Sequence, residues 1–225
     1  MKLSLSGLEK PIEIVAGMPH VLEVENQALF ARLCQSLRGG EGRFAPEPYT
    51  VWDEEAELKP DTAMLFVDTP LDLPWDDKAL MGEVAKRFER MLLDDEELRG
   101  EIDVAAQQIA SKFLSLGMEL NADYSFGIEW DIRRFAKTFG FGIDRMQKTL
   151  LDSLIDFLSL ALDARCQKTL VFVNLKSFLT ESELRELYRY AFFSKVHMLL
   201  LENRRDEATY EYEQKRIVDL HFLEF

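Results

Sequence analysis

Two short, largely apolar runs constrain this chain most: Thr169–Val173 (TLVFV) and His197–Leu201 (HMLLL). Each is long enough for a strand covered on both faces and too short for a buried helix. The segment between them reads as helix over Thr180–Phe193. Thr180 can accept from the helix's free amides, and Glu183, three residues on, completes a capping box. Two buried strands joined by one helix imply a parallel pair, and so an α/β core.

The N-terminal part supplies more of that core. Leu3 and Leu5, Ile12 and Ile14, then Val21, Leu22 and Val24 alternate or cluster between Gly7, Pro11, Gly17 and Pro19, as short strands do. A helix follows from Asn26, its cap, to Leu37, and Gly39-Gly40 ends it. Residues 41–61 are acidic, hold three prolines and read as loop with one edge strand at Tyr49–Trp52. Met64–Val67 is another strand covered on both faces, and Ile217–Phe222 a last alternating one. Between them the pattern is helical from Asp76, with a break expected near Asp94–Glu97 and Gly100. A shorter helix is expected over Ile132–Thr138 and a strong one over about Asp144–Leu162. The expected organisation is an α/β head from residues 1–77 and 163–225, with a helical insertion over 78–162.

Charge is distributed unevenly. The formal charge is −14, and residues 41–103 hold 19 acids against 7 bases. Residues 132–148 reverse this, with Arg133, Arg134, Lys137, Arg145 and Lys148 against Asp144 alone. Such a balance excludes a protein that coats nucleic acid over its whole surface, yet permits one basic strip. Arg133 and Lys137 are one helical turn apart, as are Arg145 and Lys148 on the next expected helix, a spacing that suits phosphate contacts. The competing reading is that these bases neutralise neighbouring acids. Cys34 and Cys166 are too few for a disulfide framework or a cysteine zinc site, and no apolar run could span a bilayer. With no apolar signal core at the start, a cytoplasmic location is expected.

Little points to catalysis. A nucleotide hydrolase on an α/β core needs a Gly-rich loop ending in Lys and Ser or Thr, and Gly39-Gly40-Glu41-Gly42 carries an acid where the lysine belongs. Asp68, at the end of Met64–Val67, and Glu202 are the acids a hydrolase without that loop would use. No motif links His20, His197 or His221 to a nucleophile, so no enzyme is expected. Glu119, Asn121 and Asp123 alternate, with Glu129 and Asp131 close behind, and these are hard oxygen donors of the kind calcium takes. A solvated acidic turn is the alternative.

The run LVFVNLKSFLTESELRELYRYAFFSKVHMLLLENR, with LSLSGLEKPIEI and VLEVEN near the start and the acidic turn at 119–140, resembles the type II-A CRISPR-associated adaptation protein family. That resemblance implies an α/β head like a P-loop ATPase that has lost its nucleotide site, and a helical leg inserted in it. It implies four subunits in a ring whose basic hole encircles double-stranded DNA, threading onto ends during spacer acquisition. Calcium would fix the leg through ligands among Glu119, Asn121, Asp123, Glu129 and Asp131, with Asn121 standing where a carboxylate is expected. DNA would meet Arg133, Arg134, Lys137, Arg145 and Lys148. Other CRISPR adaptation and effector proteins become expected partners, and a membrane does not. The alternatives are a nucleotide hydrolase lacking a standard P-loop and a protein-interaction scaffold that does not bind DNA, its acid runs at Asp53–Glu57 and Asp94–Glu97 recruiting basic partners.

Overall fold

A computed structural model of the chain describes residues 1–125, 127, 134, 137–138, 140–145 and 148–225. It divides into two compact units, Met1–Asp77 with Arg145–Phe225, and Lys78–Asp144.

The first unit is built on a parallel sheet. Its strands are β3 (His20–Val24), β6 (Met64–Val67), β7 (Thr169–Val173), β8 (Met198–Glu202) and β9 (Gln214–Val218), in the spatial order β6-β7-β8-β3-β9. The strand that comes first in the chain therefore lies between the fourth and the fifth. A second, antiparallel sheet holds β1 (Lys2–Leu5), β2 (Ile12–Glu13), β4 (Tyr49–Asp53) and β5 (Ala56–Leu58) in the order β2-β1-β4-β5. The expected edge strand at Tyr49–Trp52 is thus an interior one. Its outer neighbour, Ala56–Leu58, is short and acid-flanked, and the alternation there is too brief to read from sequence. The strand Met64–Val67 is instead an edge of the parallel sheet, with Leu65 and Phe66 only half-buried.

Alternation along the parallel strands sorts the core. Leu22, Val24, Val171, Leu199, Leu201 and Val218 share one cluster with Leu3, Leu5 and Val51 of the antiparallel sheet and with Leu29, Leu33 and Leu37 of helix α1 (Gln27–Gly39). Asn26 caps α1 by accepting from the Leu29 amide, and Gly40 ends it in the left-handed conformation at φ 67°. A short α2 (Pro60–Ala63) leads into β6. On the opposite face, Leu170, Phe172, Met198 and Leu200 are buried, as are the inner stripes of α5 (Leu150–Asp163) and α6 (Glu181–Ser194). Thr149 and Asp152 form a capping box on α5, Thr180 and Glu183 the expected one on α6.

Two expectations change here. The last strand lies at Gln214–Val218 rather than Ile217–Phe222, because the chain turns back after it and bridges Val218 to Glu224. The return to the α/β unit comes at Arg145, not at 163. Helix α5, counted in the insertion from sequence, belongs to the sheet unit, with Leu154, Phe157 and Leu158 wholly buried.

The second unit contains α3 (Lys78–Asp94) and α4 (Glu96–Gly117), which pack on each other. Asp95 makes the break between them, its carboxylate accepting from the Leu98 amide. Gly100, expected at the break, lies inside α4. Phe88 and Phe141 of this unit approach with ring centres 5.0 Å apart.

Candidate functional site

Three groups of residues are candidates: the acidic turn, the basic island, and a charged cluster at the carboxyl ends of the parallel strands. The acidic turn begins where α4 unwinds through tight bonds, Glu119 N–H to Leu116 O at 3.2 Å and Leu120 N–H to Gly117 O at 3.1 Å. Turns and bends run through residues 118–122. Glu119, Asn121 and Asp123 are all exposed. Glu129 and Asp131 lie outside the described residues, and among the described residues no three His, Cys, Asp or Glu side chains are arranged to hold a metal. The oxygen chemistry of Glu119, Asn121 and Asp123 suits calcium.

The basic island divides between the two units. Arg133 lies outside the described residues, while Arg134 and Lys137 are helical, exposed and in the second unit. Arg145 and Lys148 belong to the sheet unit and precede a helix rather than sharing one, because the Thr149 capping box starts α5 only at Leu150. Arg145 donates to Asp76 at 3.1 Å and stacks over the Trp75 ring at 5.7 Å, and Lys148 pairs with Asp156 at 2.5 Å. These two bases therefore do neutralise nearby acids. The pairs are solvent-accessible, and such pairs hold weakly enough to exchange an aspartate for a phosphate.

The third candidate was not read from the sequence. Glu23 of β3 and Glu202 of β8 are registered partners on neighbouring parallel strands, and both are buried. Between them and the 203–213 segment lie two ammonium groups. Lys176 Nζ approaches Glu213 at 2.6 Å, Glu23 at 3.3 Å and Asp206 at 3.4 Å, and Lys215 Nζ approaches Glu23 at 3.2 Å. The Lys176 amide donates to Glu202 at 3.0 Å, and the Asn203 amide to Asn174 Oδ1 at 3.0 Å. Burial pushes the Glu202 carboxyl up to about 7, against the opposing pull of the Lys176 amide and charge. Burial likewise raises Glu213, while for Lys176 the burial penalty is outweighed by Glu213, Glu23 and Asp206, which raise it. An available signal was an acid inside a wholly apolar strand, Glu23 in VLEVEN and Glu202 closing MLLLE. Asn174, Lys176, Glu202 and Asn203 all lie in the run that carries the family resemblance.

This end of an open parallel sheet is where α/β proteins hold nucleotides. Here only Glu25 and Asn26 separate β3 from α1, and the Asn26 side chain occupies the amide that a phosphate would use. Asp68 and Glu202, the acids of the hydrolase alternative, are not brought together. β7 stands between their strands, and Asp68 binds Arg38 at 2.9 Å.

The family model of CRISPR-associated protein (Cas_Csn2) matches residues 47–221, most of the chain. The chain belongs to the Cas_Csn2 family. The resemblance read from LVFVNLK through LLLENR is therefore correct, and it places this Cas_Csn2 member among the proteins of CRISPR adaptation. The chain is 24% identical over 216 residues to the CRISPR-associated protein Csn2 of Enterococcus faecalis, covering 94% of each. It also shares its fold with Stu0660 of Streptococcus thermophilus, known from a crystal structure, at a TM-score of 0.59 and 14% identity over 97% of this chain and 74% of that one. No described helix is long and apolar enough to cross a membrane.

Proposed function

We propose that this Cas_Csn2 chain binds the ends of double-stranded DNA, without reading their sequence, as a homotetrameric ring during spacer acquisition. The observation that carries the reading is the segregation of charge: a chain of net −14 gathers five bases against one acid in residues 132–148. Acid elsewhere discourages DNA from binding outside that strip, and phosphate contacts without groove-reading elements give affinity without sequence preference. Family membership supplies the setting, with other CRISPR adaptation and effector proteins as partners in the cytoplasm.

In this reading the protein catalyses nothing. The sheet unit is a P-loop-type ATPase fold whose nucleotide position has been lost. In support stand the two-residue connection from β3 to α1 and the ion pairs that fill the carboxyl end of the sheet. Calcium is structural, held by Glu119, Asn121 and Asp123 together with Glu129 and Asp131. Arg133, Arg134, Lys137, Arg145 and Lys148 meet phosphates.

The test compares linear and covalently closed circular duplexes of one sequence over a salt series, in calcium and in chelator. Binding to the linear form alone, falling steeply with salt and lost in chelator, is the expected result. Equal binding to both forms would replace end-threading with sideways docking, and unchanged binding in chelator would remove the metal. Absence of binding to either form would leave the scaffold reading.

A further inference from the structure

The segment from Asn203 to Glu213, running from β8 to β9, has no helix or strand. It crosses the carboxyl ends of β8 and β3 and is held there by charge. The Asp206 amide donates to Glu23 Oε2 at 3.2 Å, and Lys215 Nζ donates to the carbonyls of Asp206 at 2.6 Å and Ala208 at 2.9 Å. Lys176 grips Asp206 and Glu213 from the other side. Tyr210 packs edge-on against Tyr188 of α6 at 5.8 Å, with Lys176 and Arg185 over its ring at 5.3 and 5.4 Å.

The groups facing one another are Glu23 from β3, Glu202 from β8, Lys176 from the turn after β7, Lys215 from β9, Asp206, Tyr210 and Glu213 from the segment, and Tyr188 and Arg185 from α6. At their centre are four carboxyls and two ammonium groups. Fully ionised, they would hold two uncompensated negative charges in a largely buried place, a costly arrangement. Glu213 Oε2 and the Tyr188 hydroxyl are both buried with no hydrogen-bond partner, which adds desolvation that nothing offsets to the cost of the closed cluster.

We propose that residues 203–213 form a proton-latched strap, closed over the carboxyl ends of β3 and β8 while the cluster retains a proton and loosened when that proton leaves. Only the strap can yield. Glu23 and Glu202 are fixed at about 4.8 Å strand spacing by the sheet, whereas Asp206 and Glu213 are carried by irregular chain and can swing outward. The raised Glu202 carboxyl places the upper end of the change near pH 7. An acid whose folded value exceeds its unfolded one binds more protons when the site is closed, so closure weakens as pH rises. The device is independent of DNA binding.

Hydrogen exchange of the full chain between pH 5 and 8, corrected for intrinsic rates, tests it. In the wild type the opening of strap amides rises by up to about tenfold per pH unit as pH approaches 7 from below, the response to one proton, and levels off above it, while amides of β7 stay protected. Glu202→Gln keeps the acceptor for the Lys176 amide, removes the titration, and holds the strap closed at pH 8. Glu213→Gln, which leaves Glu202 in place and weakens the hold of Lys176 on the strap, keeps the pH dependence and opens the strap more at every pH. Strap opening that does not vary with pH in the wild type overturns the proposal. So does wild-type pH dependence in a folded Glu202→Gln variant.

Discussion

His20 begins β3 in the core, 5% exposed, and its Nε2 accepts the Val15 N–H at 3.1 Å. Burial first, then the charges of Arg216 and the N-terminus, push its pKa down to about 4. The folded imidazole is therefore neutral where the unfolded one, near 6.5, takes up a proton. The sign follows: this contribution to stability is complete above about pH 6.5 and is lost as pH falls toward 4. His20→Gln keeps an acceptor without the titration. The wild type should lose on the order of 3 kcal/mol more than the variant across that window, measured by urea unfolding at several pH values. Parallel losses would show that His20 is not held neutral. Residues of this kind are poorly legible in sequence. His20 and Glu23 look like interruptions of an apolar strand, and their roles arise from partners far along the chain.

Elements were legible where the local chemistry was complete. The α6 helix carried its cap, its box and its stripe in consecutive residues, and α1 carried its cap and its glycine stop. Gly100 misled because glycine weakens a helix without ending it, whereas Asp95 ends one helix and caps the next. Gly100 is exposed, and a methyl group on its Cα would meet nothing within 4 Å, so Gly100→Ala should raise stability by about 1 kcal/mol. Gly17 is the opposite case. It sits at φ +81° before β3, and a Cβ there would lie 2.7 Å from the Phe192 carbonyl oxygen. Gly17→Ala should cost about 2 kcal/mol through strain and that contact. Equal midpoints in urea for the two variants would remove the distinction between an open helix position and a closed turn.

At the scale of the molecule, the basic island gathers five bases in sequence, and those described lie in two units. The two in the sheet unit are paired, Arg145 with Asp76 and Lys148 with Asp156. If both bases meet DNA, removing their internal partners should strengthen binding. Asp76→Asn with Asp156→Asn is expected to tighten linear duplex about threefold and steepen the salt dependence. Arg145→Glu with Lys148→Glu is expected to weaken it at least about tenfold. Unchanged affinity in the aspartate variants would assign the two pairs a structural role and leave DNA to the remaining bases.

The α/β class, the parallel pairing of β7 with β8, the helical stretch after Asp76 and family membership were all readable from the residues alone. They rest on periodicity, caps and motifs that span a few neighbouring positions. The interior place of β4, the packing of α5 on the sheet, and the meeting of Glu23, Lys176, Glu202 and Glu213 emerge only in the folded chain. Strand order and register are set by which apolar faces cover one another across the whole molecule. That competition among distant segments leaves no mark at any single position.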